Sequence, residues 1–176
     1  MNVGAADGYY AVGLALRLPE ARVVAFEALQ EMHAPIEAAA HTNGVQRRIA
    51  LRGRCELDQL RAELTNAAPP TLIFMDIEGG EVALLDPAAA PELRQVDILV
   101  ETHDMYVEGC TTELTARFRA THDIEQYTTR ARTLSDFPAR FIRWLTRLAP
   151  RLAVELMNER RPAPQHWLYM RVKANL

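Results

Sequence analysis

The sequence predicts an α/β protein built on a doubly wound, mostly parallel sheet. Two observations lead there. Short, continuous apolar runs alternate with helical patterns, and the three strongest runs each stop at an acidic residue. A glycine-bearing segment, Gly4-Ala5-Ala6-Asp7-Gly8, precedes the first helical pattern. Continuous apolar runs suit strands buried on both faces, the condition of a parallel sheet covered by helices. Strand–helix alternation then requires right-handed crossovers.

The elements follow in order. The chain opens Met1-Asn2-Val3 before the glycine segment, so the first strand can hold only about three residues where about five or six are usual. This reads as a truncated first strand: a late start codon, a fragment, or a stub tolerated at the sheet centre. Tyr9 to Leu18 is helical in pattern. Arg22 to Phe26 is β-branched and aromatic and ends at Glu27. Leu29 to His41 and Glu56 to Leu64 read as helices, with a weaker strand at Arg48 to Leu51 between them. Thr71 to Met75 ends at Asp76, and Val96 to Val100 ends at Glu101. Ile124 to Thr128 and Trp167 to Val172 are weaker strands that could close the sheet antiparallel, flanking a helical stretch around Pro138 to Met157.

At 176 residues the chain makes one domain, 1–176, with core enough to need no staples. A formal charge of −3 gives no global field to recruit nucleic acid. Cys55 and Cys110 have no CxxC spacing, which excludes a disulfide scaffold and a multi-cysteine zinc site. No apolar run of about 18 residues could span a bilayer. No basic-then-apolar leader pattern opens the chain, so the expected compartment is the cytoplasm. Nineteen of the basic residues are arginine and one is Lys173; from Thr129 to Arg161 the local charge is +5 against −8 elsewhere.

In open α/β sheets, ligands bind beyond the carboxyl ends of the strands, beside the first turn. A dinucleotide turn needs G-x-G-x-x-G. Counted from Gly4, its second and third glycines fall on Ala6 and Tyr9, which disfavours a pyrophosphate and hence a nucleotide-dependent oxidoreductase. A nucleoside without a pyrophosphate fits better. Glu27 closes the second strand nineteen residues after Gly8, where a carboxylate can accept both ribose hydroxyls.

Met75-Asp76-Ile77-Glu78-Gly79-Gly80-Glu81 and Val100-Glu101-Thr102-His103-Asp104 leave two further strands. If those strands are neighbours, Asp76, Glu78, Glu101, His103 and Asp104 gather at one sheet edge. They could hold a cationic ligand or a hard metal ion, the metal being the less favoured reading. His103 is the first candidate general base, with Asp76 or Asp104 behind it. Glu81 reads as a helix-capping acid. His33 and His41 read as surface or packing residues far from the strand ends, as do His122 and His166. Tyr9, Tyr10, Met105 and Tyr106 follow strand ends and could face an acceptor.

Asn2-Val3-Gly4-Ala5-Ala6-Asp7-Gly8-Tyr9-Tyr10, Ala25-Phe26-Glu27, Met75 to Glu81 and Val100-Glu101-Thr102-His103 occur in order and at matching spacing. Together they resemble the FkbM-type family of S-adenosylmethionine-dependent methyltransferases, over roughly residues 1 to 105. The tail from Asn158-Glu159-Arg160-Arg161-Pro162 to Trp167-Leu168 is similar more loosely. The resemblance implies the Rossmann-like class I methyltransferase fold, seven strands with a reversed last hairpin. It implies S-adenosylmethionine held by Asn2, Gly4, Ala5, Asp7 and Gly8. Glu27 and Ala28 would lie at the ribose, Arg54 and Cys55 of Gly53-Arg54-Cys55-Glu56 near the adenine, and Asp76 and Ile77 at the methionyl end. Asn2 departs from the pattern, standing where aspartate is common.

The expected activity is therefore methyl transfer to a small-molecule acceptor, as O-methylation of a sugar, glycolipid or secondary metabolite. The alternative is a non-catalytic cofactor-binding remnant. Arg140, Arg143, Arg147 and Arg151 share one helix face, with Phe141, Leu145 and Leu148 on another; the favoured reading is a solvated basic side, the other a dock for an anionic acceptor. Neither acceptor identity nor oligomeric state is legible.

Overall fold

A computed structural model describes residues 1–138, 143–158 and 164–174. It contains a seven-stranded sheet ordered β3-β2-β1-β4-β5-β7-β6. The strands are β1 (Asn2–Val3), β2 (Val23–Phe26), β3 (Ile49–Arg52), β4 (Leu72–Met75), β5 (Asp97–Thr102), β6 (His122–Thr128) and β7 (His166–Val172). The first five pair in parallel, and β7 runs antiparallel to β5. The helices are α1 (Tyr9–Arg17), α2 (His33–Thr42), α3 (Leu57–Thr65), α4 (Glu81–Leu84), α5 (Cys110–Phe118), α6 (Arg143–Leu148) and α7 (Pro150–Glu155).

The alternating side chains of the strands divide the core in two. Val3, Ile73, Met75, Ile98 and Val100 join Leu60 and Leu64 of α3 and Leu114 and Phe118 of α5 in one cluster. Val23 and Ala25 join Ala11, Val12 and Ala15 of α1 and Ile36 and Ala40 of α2 in the other. Burial on both faces is why β2, β4 and β5 read as unbroken apolar runs. The short β1 lies between β2 and β4, with Asn2 opposite Ala25 and Phe74 and Val3 opposite Phe26 and Met75. The Phe74 amide also donates to the Met1 carbonyl at 2.8 Å.

Two prolines correct the expected helices. The pattern over Leu29 to His41 predicts one helix, but Gln30–Met32 is a 3-10 turn and α2 begins at His33. Proline has no amide hydrogen and its ring clashes with the preceding turn, so Pro35 is tolerated only in a helix's first turn. The stretch around Pro138 to Met157 is divided likewise. Pro150 opens α7, and the residue before it, Ala149, leaves helical geometry at φ −141°, ψ 62°. Arg147 and Arg151 therefore stand on different helices. Arg140 and Phe141, and Glu159 to Pro162 of the tail, lie outside the described residues.

The described residues form two compact units, 1–127 with 166–176, and 128–165. Within the second, Arg130 grips Asp136 through two contacts of 2.9 and 2.7 Å, holding that carboxyl well below the usual range. Among the described residues no helix is long and apolar enough to cross a membrane.

Gly4, at φ +83°, packs so tightly that a Cβ there would stand 1.8 Å from the Asp76 carbonyl oxygen. Its close approach serves the junction of β1 with β4. We predict that Gly4→Ala destabilises the fold by more than about 3 kcal/mol in urea unfolding. Gly13→Ala, in α1 with nothing near its Cβ, should instead stabilise by about 0.5–1 kcal/mol.

His122 is buried against the Phe118 ring, and its Nε2 donates to the Val96 carbonyl at 2.9 Å. Burial holds its imidazole below the ordinary 6.5, only partly opposed by that hydrogen bond. The unfolded chain thus takes up the proton first. His122's contribution is full above its unfolded value and is lost as pH falls toward its folded one. Unfolding free energy of the wild type should drop more between pH 7.5 and 5.5 than that of His122→Gln; equal drops would contradict the assignment.

Candidate active site

The site is built at the carboxyl ends of β1, β2, β4 and β5. After β1 the chain turns through Gly4 (φ +83°), Ala6 (φ +47°) and Gly8 (φ +88°). Gly4 and Ala5 donate to the Phe26 carbonyl at 3.0 and 2.9 Å, and Gly8 to Ala5 at 2.8 Å. Gly8 caps α1 and rests on Ile36, which a Cβ would approach to 3.3 Å. Asp7 is exposed, its Oδ1 accepting the Tyr9 amide at 3.1 Å.

Ala6 is the anomaly, because left-handed geometry costs an L-residue about 1–2 kcal/mol. Glu27 holds it there. Its Oε2 accepts the Ala6 amide at 2.7 Å and its Oε1 the Leu29 amide at 2.8 Å. Glu27 is 8% exposed and so faces the turn rather than bulk water. Each carboxylate oxygen can accept more than one hydrogen bond, so capacity remains for hydroxyl donors. The neighbouring Ala28 is exposed.

His33 belongs to this corner, contrary to expectation. Because Pro35 restarts the helix, His33 is the first residue of α2. Its Nε2 donates to the Glu27 carbonyl at 2.9 Å. A proline two residues downstream was the sequence signal for this.

Asn2 is fully buried at the sheet centre. Its Nδ2 reaches the Gly4 carbonyl at 3.5 Å, while its Oδ1 has no hydrogen-bond partner among the described residues. Beyond β3, a cavity of about 360 Å³ is lined by Phe26, Arg52, Gly53, Arg54, Gln59 and Glu63 among others. Arg54 is exposed and pairs with Glu56 at 2.8 Å. Burial, with Glu56 and Glu63 adding to it, pushes the Cys55 thiol up to about 12. That makes the Cys55 thiol a weak nucleophile.

Of the five residues expected at the edge after β4 and β5, Asp76, Glu101 and His103 come together, whereas Glu78 is exposed, in left-handed geometry at φ +53°. His103, buried, directs Nδ1 to Glu81 Oε1 at 2.6 Å. Its Nε2 lies 3.6 Å from Asp76 Oδ1 and 3.8 Å from Glu101 Oε1. Asp76, Glu101 and His103 are close enough together to share a metal ion. Ile77 packs beside Gly4 and Gly80. Asp104 turns elsewhere: Oδ1 accepts the Thr111 amide at 3.1 Å and Oδ2 meets the Thr111 hydroxyl, which ties it to the first turn of α5. Tyr106 stacks on the His103 ring at 5.7 Å, and Tyr10 packs on Phe74 at 4.2 Å. Tyr9, Tyr10, Met105 and Tyr106 all expose much of their surface.

Glu81 is the residue the sequence reading undervalued. A capping acid is expected at an exposed helix start, yet Glu81 is completely buried.

The sequence matches no family model and no curated protein. Solved structures do resemble it. The precorrin-6y C5,15-methyltransferase of Geobacter metallireducens GS-15 superposes with a TM-score of 0.60 at 13% identity, over 96% of this chain and 76% of its own. The O-methyltransferase of Bacillus cereus, in complex with SAH, gives 0.60 at 14% identity, over 97% and 72%. The m1A22 tRNA methyltransferase of B. subtilis gives 0.59 at 9% identity, over 98% and 58%. At such identities the likeness establishes the fold, which is the Rossmann-like class I methyltransferase fold.

Proposed function

We propose that this chain is an S-adenosylmethionine-dependent methyltransferase of the FkbM type, a single domain that modifies a hydroxyl of a sugar, glycolipid or secondary metabolite. The observation that carries the reading is the buried Glu27 carboxylate bridging the first turn and the end of β2. A carboxylate so placed is suited to a ribose diol, and the turn beside it lacks the glycines a pyrophosphate needs. The complex of the Bacillus cereus neighbour with SAH agrees with the donor, and the range of the neighbours' acceptors leaves the acceptor class to the site itself.

The residues fit that donor. Glu27 keeps acceptor capacity for the ribose, and Asn2 has a buried carbonyl oxygen without a partner among the described residues, an atom whose burial is costly unless a polar group meets it. The cavity beside Gly53 and Arg54 would take the adenine. Asp76 would lie at the methionyl end, its negative charge suited to a sulfonium.

S-adenosylmethionine, when bound, supplies a methyl group whose bond to sulfur breaks, leaving its electron pair on sulfur, as the acceptor oxygen bonds to carbon. The chain's own work is to position and to take a proton. Aligning two reactants can contribute about 7–11 kcal/mol in favourable cases. Tyr10 and Tyr106 offer aromatic walls to an acceptor. His103 Nε2 receives the acceptor's proton, with Asp76 beside it. Asp104 holds the start of α5 and so steadies the segment that carries His103.

Calorimetric titration tests the reading. The folded chain should bind S-adenosylmethionine at micromolar levels. Glu27→Ala should weaken binding roughly 10- to 100-fold, since a hydrogen bond to a charged group contributes about 1.5–3 kcal/mol. NADH should bind weakly or not at all. A folded protein that binds neither would support a remnant without turnover, and tight NADH binding would overturn the argument from Ala6 and Tyr9.

A further inference from the structure

We propose that Glu81 is a positioning residue for His103: its buried carboxylate holds the ring's Nδ1 proton and leaves Nε2 as the nitrogen that accepts a proton from a bound acceptor. This deepens the methyl-transfer reading above and rests on it for the identity of the proton donor.

The pair is built as a fixed unit. Glu81 opens α4 and is completely buried. Both of its oxygens accept the Gly79 amide, at 3.2 and 3.0 Å, so the carboxylate cannot swing. That local contact resembles capping. The 2.6 Å contact to His103, twenty-two residues away on the far side of β5, is not explained by capping.

Gly79 makes the approach possible. It adopts φ +109°, and a Cβ there would stand 3.2 Å from Tyr106 Cβ. A side chain at this position would press the start of α4 against the Tyr106 that stacks on His103.

His103 is held from its other sides as well. Its carbonyl accepts the amides of Tyr106 and Val107 at 2.9 and 3.0 Å, and the Tyr106 ring lies along its own, 27° from parallel. The groups facing the imidazole are Glu81 from α4, Asp76 after β4, Glu101 at the end of β5, and Tyr106. A carboxylate oxygen bonded at Nδ1 holds the proton on that nitrogen, so in the neutral ring the lone pair falls on Nε2. At 3.6 and 3.8 Å, the Asp76 and Glu101 oxygens stand beyond direct hydrogen-bond reach of Nε2. A hydroxyl proton delivered at this edge would break from the acceptor oxygen and form the Nε2–H bond. The ring would become an imidazolium between carboxylates and later return the proton to solvent.

The test reads the tautomer directly, without an acceptor. The full chain is labelled with nitrogen-15 histidine and its ring nitrogens are followed by NMR as pH rises to the neutral ring. His103→Gln identifies the resonances. The wild type should show a protonated Nδ1 and an unprotonated Nε2. Glu81→Gln should move the ring toward the Nε2–H form, and Glu81→Asp should fall between. Should Glu81→Gln fail to fold, the wild-type spectrum and Glu81→Asp still decide. An Nε2–H tautomer in the wild type, a ring unchanged in the Glu81 variants, or an Nε2 that never loses its proton while the chain is folded would each overturn the proposal. Failure of the methyl-donor reading is separate: it would appear as absent S-adenosylmethionine binding with the tautomer result intact.

Discussion

The hydrogen bond from the Ala6 amide to the Glu27 carboxylate is the constraint on which the site depends. Ala6 is held in a backbone region that alanine enters only at a cost. The compensating charge-assisted bond comes from a residue twenty-one positions later, at the end of the neighbouring strand. One side chain thereby ties the β1 turn to the β2 end. His33 fixes the same corner from behind through the Glu27 carbonyl. The ligand edge is therefore shaped by the protein's own polar contacts.

Much of the fold was legible because parallel strands are buried on both faces. β2, β4 and β5 fall within a residue or two of the apolar runs that announce them. The edge strand β6 is largely exposed and carries a mixed pattern, which is why it reads weakly. The helices misread are those with an internal proline. Apolar spacing across Pro35 and Pro150 suggests continuous helices, but a residue without an amide hydrogen can stand only where a helix begins. The periodicity was real; the chemistry of one residue type overrode it.

The site divides along a similar line. The placement of Glu27, Asp76 and His103 was legible because each closes or directly follows a strand, and parallel pairing gathers strand ends. His33 was not, since its place depends on where a helix starts. Glu81 was not, because an acid in a helix's first turn normally faces water, and nothing in the sequence around it announces that it is buried against a histidine. Asp104 looked equivalent to Asp76 by position; its side chain instead meets Thr111, leaving it structural work at α5. The missing side chain of Gly4 has a second use that spacing does not announce: it makes room for the chain's own Asp76 carbonyl oxygen.

Two carboxylate-centred corners thus share one sheet edge, Glu27 at the first turn and the Glu81–His103 pair beyond β4 and β5. In the proposed O-methyl transfer, one would hold the nucleoside and the other would take the proton. The proposed nucleoside sits on the Glu27 corner, and amide hydrogen exchange with and without S-adenosylhomocysteine can detect it there. Exchange should slow at Ala6 and Leu29, the two amides that Glu27 holds, and in the turn between Gly4 and Gly8. Saturating ligand that leaves these amides unchanged while protecting only residues 128–165 would contradict that placement.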